Sequence, residues 1–330
     1  MRKAGFATFL TLSVLLFAGC GEEERAQTYL QRGLDLFDQG NLVKARLEFK
    51  NALQIKPKDA RTWFMIGQVE EREQNWNKAF DAYSRAVQLD PGNQPAKIRK
   101  GTLLLAGNKP DDALAEAAAV LAIDPNDTGA LALRGAVERR QGDMGAAVKD
   151  AEAALALDPN QREALGLLAG IRLEQGQTAE AKALLETAVK AHPDASALKL
   201  ALAGVYERLG EPAQVRRTLE MLVEQQPGEF SHRLQLARYL ATQGEQGAAE
   251  QTLRTAVEAA PEGSQRKLML VGFIAETKGA DAAATELQQW IDARPDDYAL
   301  RFALADRYRD AKKFDEMAAT YGAVIERNGS

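Results

Sequence analysis

Between Pro57 and Pro91, apolar positions recur at helical spacing twice over. Trp63, Ile66, Gly67 and Glu70 fall three or four apart, so most of them line one face of a helix. A polar break follows at Gln74-Asn75. A second run then carries Ala79, Phe80, Tyr83, Ala86 and Val87 before Asp90-Pro91-Gly92-Asn93 ends it. Proline lacks an amide hydrogen and clashes with the preceding turn, so it stops a helix where it stands. The stretch predicts two helices of about a dozen residues or more and two short loops.

The same punctuation returns at a fixed interval. Pro57, Pro91, Pro125, Pro159, Pro193, Pro227, Pro261 and Pro295 lie 34 residues apart without a slip. A sustained period of this length marks an array of supersecondary units, which overrides the two domains that length alone suggests. With the proline counted as position 32, position 8 reads Gly33, Gly67, Gly101 and Gly135, then mostly alanine. Position 20 is mostly alanine, as in Ala45, Ala79, Ala113 and Ala147, while position 24 reads Phe49, Tyr83, Ala117, Ala151 and then Leu185. A glycine inside a helix costs about 1 kcal/mol against alanine. Four of them in one phase predict a crossing of helix A and helix B too close for a side chain. Pro110 and Pro212 fall at position 17, the first turn of helix B, where a missing amide hydrogen is harmless.

These repeats resemble the tetratricopeptide repeat (TPR). Trp63, Ile66-Gly67, Ala79, Tyr83, Ala86 and Pro91 match its consensus one by one. The resemblance implies an all-α fold, a right-handed superhelical solenoid of about nine helix-turn-helix units over residues 24–330, with units ending at the eight prolines and the C-terminus. Unit eight is irregular: Val271 replaces the small residue at position 8, and Trp290 stands where alanine is usual. Either the packing adjusts there or Trp290 turns outward.

Residues 1–19 lie outside the repeats. Arg2 and Lys3 precede an uncharged, mostly apolar run from Ala4 to Ala18, which is short for a spanning helix and has the build of a secretory signal. It ends at Ala18-Gly19-Cys20, and Cys20 is the only cysteine. This resembles a bacterial lipoprotein lipobox, although Phe17 departs from its usual aliphatic residue. The resemblance implies a signal peptide over 1–19 and lipidation of Cys20, with 20–23 as a short tether. Gly21 in place of a retention aspartate leans the expectation to the outer membrane, facing the periplasm. Ordinary secretion with a free thiol is the plainer alternative.

Charge changes the picture little. The formal charge is −5, and −7 once Arg2 and Lys3 leave with the leader. Both signs are interspersed, and no basic stripe of the kind nucleic-acid binding needs is evident. His192 and His232 stand far apart with no cysteine near, so no ordinary zinc set exists and no metal or cofactor is expected. No phosphate-cradling glycine loop and no nucleophile elbow is present. Asp90, Asp124 and Asp158 precede their prolines and belong to turns. An enzyme is not expected.

The TPR resemblance implies instead a concave surface built mostly from helix A. At position 5 the candidate groove offers Ile98, Ala132, Gly166, Leu200 and Leu234. At position 9 it offers Thr102, Ala136, Gly170, Gly204 and Arg238, and at position 13 the charged edges Arg140, Glu174 and Arg208. The Lys and Asn pair with which chaperone-binding members clamp a terminal carboxylate is absent from these positions. A floor of small and aliphatic residues suits the apolar face of a helix or an extended segment, unless part of position 5 is core. At the other end, Phe314, Met317, Tyr321 and Val324 follow one another at helical spacing with no further helix after them. Tyr321 and Val324 are therefore a candidate docking surface, against the alternatives of a cut in a longer array or a frayed end.

The expected function is a non-catalytic scaffold, anchored by lipid, that binds a protein or peptide partner. It resembles TPR lipoproteins of pilus assembly, exopolysaccharide export and outer-membrane assembly. The alternative is a self-associating structural lipoprotein, a homo-oligomer. An enzyme accessory subunit is the remote one.

Overall fold

The computed structural model describes residues 8–260 and 263–328, and side chains for 21–260 and 263–326. The described residues hold 18 helices and no strand. They divide into two compact bodies, one to Gly176 and one from Gln177. The first holds α1 (Thr8–Asp38), α2 (Leu42–Ile55), α3 (Ala60–Arg72), α4 (Trp76–Leu89), α5 (Gln94–Ala106), α6 (Pro110–Leu121), α7 (Thr128–Gln141), α8 (Met144–Leu157) and α9 (Arg162–Glu174). The second holds α10 (Thr178–Ala191), α11 (Ser196–Arg208), α12 (Pro212–Gln225), α13 (Phe230–Thr242), α14 (Gln246–Glu258), α15 (Ser264–Lys278), α16 (Ala280–Ala293), α17 (Tyr298–Asp310) and α18 (Phe314–Asn328). From the second repeat onward, every helix A opens on position 1. Every helix B opens on position 17, with Pro110 and Pro212 as its first residue in α6 and α12. Residues 21–23, read as part of a tether, are helical in α1, where Arg25 Nε donates to the Gly21 carbonyl at 3.3 Å.

The loops follow from the residues that fill them. Asp90, Asp124 and Asp158 each accept from the backbone N–H two residues on, at 2.9 Å, making the turn at the proline. Asp59, Asn93, Asp127 and Asp297 at position 34 then cap the next helix A, accepting from the N–H three residues on. Position 4 closes the same corner. Trp63 Nε1 donates to the Pro57 carbonyl at 2.9 Å and Arg301 Nε to that of Pro295 at 2.7 Å. Lys199 and Arg233 reach the carbonyls of Pro193 and Pro227 in the same way.

The turn between helices A and B depends on position 15. In all repeats but the eighth this residue has positive φ, and the next N–H closes on the carbonyl of position 11 where that bond is formed, as from Asn75 to Glu70 at 2.8 Å. Glycine fills the place at residues 40, 142, 176, 210 and 244, but Gln74, Asn108 and Lys312 take φ near 60° with a side chain attached. Lys312→Gly is therefore expected to raise the unfolding midpoint, by about 1 kcal/mol of stability, since a left-handed non-glycine residue costs about 1–2 kcal/mol. Urea titration checks it, and a lowered midpoint would contradict the account. In the eighth repeat α15 runs on through position 15 to Lys278, and the turn passes to Gly279 at φ 92°. Val271 is buried, and Trp290 is half-buried with the Lys267 ammonium 5.6 Å from its ring centre, so Trp290 belongs to the packing.

The close crossing at position 8 is present. A Cβ on Gly33 would come within 2.5 Å of the Phe49 ring, and one on Gly67 within 2.5 Å of the Tyr83 ring. Where position 24 shrinks to Ala117 and Ala151, a leucine of the following helix A moves in. Leu133 stands 2.5 Å from a Cβ on Gly101, and Leu167 stands 2.9 Å from one on Gly135. The rings of the first repeats and the alanines of the third and fourth are two fillings of one gap.

Candidate partner-binding surface

In the first body, position 5 divides. Ile98 and Gly166 are half-buried, but Ala132 is 2% exposed and packs with Leu131, Ala154 and Ala164. Ala132 is core, not groove, because the next helix A closes over it. Position 9 keeps Thr102 exposed and Ala136 and Gly170 half-buried. The Thr102 hydroxyl donates to the Ile98 carbonyl at 2.9 Å, and Arg140 donates to the Asn108 side chain at 2.8 Å. The expected bare floor at Gly170 is covered. Arg139 Nη1 lies 2.9 Å from where its Cβ would be, and Arg139 Nε donates to Glu174 at 3.0 Å. Glycine there makes room for a guanidinium of the preceding repeat. The signal in the sequence was a pair of opposite charges, one repeat apart, at positions 12 and 13.

A feature the sequence reading missed lies beside Thr102. An open cleft of about 640 Å³ is lined by Trp76 and Phe80 of α4, Leu103 and Leu104 of α5, and the polar Glu71, Asn77 and Lys109. Trp76 remains 53% exposed. Glu71 is fixed by the Tyr83 hydroxyl, which donates to it at 2.5 Å; burial and that carboxylate hold the phenol protonated well above its ordinary range.

In the second body Leu200, Gly204 and Leu234 are half-buried, while Arg208 and Arg238 are exposed. Nothing lies within 4 Å of a Cβ on Gly204, so the surface is open there, and Arg238 bridges to Glu276 at 3.3 Å. Beneath this face sit two basic groups unusual for an interior. Lys199 is fully buried, with Nζ also reaching Gln225 Oε1, and burial lowers its pKa. His232 is 5% exposed, and its Nδ1 has no partner among the described residues.

Burial, aided by the charge of Lys199, pushes His232 below its ordinary value, against the opposing pull of Glu229 and the Leu222 backbone. The unfolded chain then takes up this proton first as pH falls through about 6.5, so the folded state loses stability on the acid side. His232→Gln is expected to shrink the loss between pH 7.5 and 5 in urea titrations. An unchanged acid slope would clear His232 of the effect.

At the C-terminal end the two candidate residues part. Tyr321 is half-buried, its ring centre 6.2 Å from that of Phe302. Val324 is 6% exposed, so it is not surface: it faces inward, and Ile325, one residue on, is 71% exposed. Cys20 lies outside the residues whose side chains are described. No cluster of three metal-ligating side chains occurs among the described residues, and no helix of theirs is long and apolar enough to cross a membrane.

Residues 138–199 and 172–232 match the tetratricopeptide repeat family model. The repeats are tetratricopeptide repeats. Residues 26–164 match the model for the cytochrome c-type biogenesis protein H TPR domain. The human IFIT1 dimer with m7Gppp-AAAA aligns over 92% of this chain and 72% of that one, at 15% identity and a TM-score of 0.60. A tetratricopeptide repeat protein from Parabacteroides merdae covers 75% of this chain and 98% of its own, at 18% identity and TM-score 0.47. Pseudomonas aeruginosa pilF covers 64% and 97%, at 18% and 0.45. Likeness at these identities concerns the TPR fold alone.

Proposed function

We propose that this TPR protein is a non-catalytic scaffold, held at the bacterial envelope by lipid on Cys20, that docks a protein partner on its first body. The observation that carries the reading is the cleft between α4 and α5. A largely apolar hollow with a half-exposed tryptophan at its edge suits the side chains of an apolar peptide face, and Glu71 and Lys109 supply polar contacts at its wall. TPR proteins bind protein partners, and this cleft lies within the segment that matches the biogenesis family.

Cytochrome c-type biogenesis, which that family's name carries, makes a component of c-type cytochrome assembly the first partner to test. Pilus assembly, exopolysaccharide export and outer-membrane assembly rest on the lipoprotein resemblance alone. Placement at the outer membrane, facing the periplasm, belongs to the same proposal.

The test is a photo-crosslinking residue at Asn77, followed by identification of the captured protein and by capture with Trp76→Ala. Loss of a buried tryptophan anchor costs at least about 2 kcal/mol, so capture should weaken at least about 30-fold. Trp76 is too exposed for the change to unfold the repeat, which circular dichroism checks. Unweakened capture would move the docking site elsewhere.

A further inference from the structure

A second hollow, of about 400 Å³, opens in the second body between α10, α11 and α12. None of the candidate groove residues lines it, and two of its three walls are helices B. Its apolar surface comes from Val189 of α10, Leu202 of α11 and Met221 of α12. Three cations stand around it, Lys190, Lys199 and Arg217, against one carboxylate, Glu186. That carboxylate is already engaged. The Tyr206 hydroxyl donates to it at 3.0 Å. Burial, with Glu186 beside it, pushes this phenol up to about 12, so it remains a donor.

The cations are not matched in the same way. Elsewhere in this body Arg216 is bonded to Glu245 and Arg254 to Glu286. Lys190 and Arg217 are exposed on two different walls of the hollow, and among the described residues neither pairs with a carboxylate. Lys199 is the sharper case. Its ammonium is fully buried and donates to two neutral acceptors, the Pro193 carbonyl and Gln225 Oε1. Burial outweighs the pull of Asp194 on it, and no carboxylate among the described residues is paired with it. A buried charge is ordinarily matched by an opposite one, because the water it gives up must be replaced.

We infer that this hollow binds a small amphipathic carboxylate, its apolar tail against Val189, Leu202 and Met221 and its negative charge among Lys190, Lys199 and Arg217. Lys190 and Arg217 have long, exposed side chains and make the charge-assisted hydrogen bonds. Lys199 has no exposed surface and acts through its field, gaining the counter-charge that it lacks. An apolar lining with a few convergent polar groups is the ordinary build of a small-molecule site. An inorganic anion would leave that lining wet, and a neutral molecule would leave the cations unmatched. A free fatty acid and the C-terminal leucine of a peptide share the required chemistry. The site stands apart from the partner proposed above and is measured without it.

The test is isothermal titration calorimetry of the purified full chain in a neutral detergent. Hexanoate, hexanamide, acetate and inorganic phosphate are each titrated into the protein and into detergent alone. Hexanoate is expected to bind one site per chain with a Kd of roughly 0.1–1 mM, ordinary for a ligand of its size. It should bind at least tenfold more tightly than the other three. Lys190→Gln combined with Arg217→Gln should weaken it at least tenfold, while Lys78→Gln, exposed on the first body, should leave it unchanged. Lys199→Met removes the buried charge and keeps an unbranched side chain, and should also weaken binding with the circular dichroism retained. If that variant misfolds, the two exposed positions carry the test. Acetyl-Ala-Leu with a free carboxylate, set against hexanoate, separates the sources: tighter binding assigns the site to a chain end, weaker binding to a free acid. Hexanamide, acetate or phosphate binding as tightly as hexanoate would overturn the proposal. So would hexanoate binding unchanged in the Lys190→Gln and Arg217→Gln variant, or no saturable binding up to about 20 mM, far above that Kd.

Discussion

Tyr83→Ala is expected to destabilise the first body by about 3–5 kcal/mol, the range for removing a buried ring. Tyr83 has no exposed surface, stands 5.7 Å from the Phe64 ring between centres, and spends its hydroxyl on Glu71. Gly67→Ala attacks the same contact from the other side, since its Cβ would press within 2.5 Å of the ring. Overpacking of this kind costs about 1–3 kcal/mol. The informative result is the double variant: with the ring gone, the added methyl has room. Its cost should fall short of the sum of the single changes by at least about 1 kcal/mol. Gly204→Ala, whose added Cβ would meet nothing within 4 Å, is the control and should be neutral or stabilising by up to about 1 kcal/mol. Urea midpoints by far-ultraviolet circular dichroism decide it, compared directly because repeat arrays need not unfold in two states. Equal losses from Gly67→Ala and Gly204→Ala would mean that the crossing is not the cause.

That contact shows what a single sequence makes legible. The proline lattice and the alanine and glycine columns state period, helix number and crossing, because each reflects a local rule of backbone or sterics. Every helix from the second repeat onward starts where the lattice puts it. Facing direction is less accessible. Val324 and Ile325 are neighbours of similar character, about 100° apart around one helix, and only the position of α17 makes one core and the other surface. Ala132 was legible as small but not as covered, for the same reason.

Long side chains escape more completely, since their reach crosses repeats. Arg139 lies over Gly170. Arg216 pairs with Glu245 at 2.8 Å and Arg254 with Glu286 at 2.7 Å, each joining one helix B to the next repeat. Composition reads such charges as interspersed surface. The structure shows them lacing one repeat to the next. The cleft at Trp76 escaped for a further reason: its walls come from two repeats, and no single period contains it.

Cys20→Ser is expected to move the whole protein from the membrane fraction to the soluble one. A single myristoyl chain binds a membrane only marginally, with a constant of about 10⁴ M⁻¹. Each further buried CH₂ adds about 0.8 kcal/mol, so several chains on one residue make an anchor whose loss is all-or-none in fractionation. The fold adds a distance to this. Residues 21–25 are helical rather than extended, so the five-residue step from Cys20 to Arg25 spans roughly 8 Å at 1.5 Å per residue. The Gly21 carbonyl is held by Arg25, and Arg25 lies 3.8 Å from Glu22, so this turn is tied within itself. A lipid on Cys20 would therefore carry the first repeat at the bilayer surface, without a long linker. A spin label at Thr28, exposed on α1, should be quenched by a headgroup-bound paramagnetic reagent in the wild-type background and released from it in Cys20→Ser. Palmitate labelling supplies the independent readout. Labelling that survives Cys20→Ser would remove the lipid anchor from the reading. Labelling lost with Thr28 unquenched from the start would keep the anchor and place the first repeat away from the membrane.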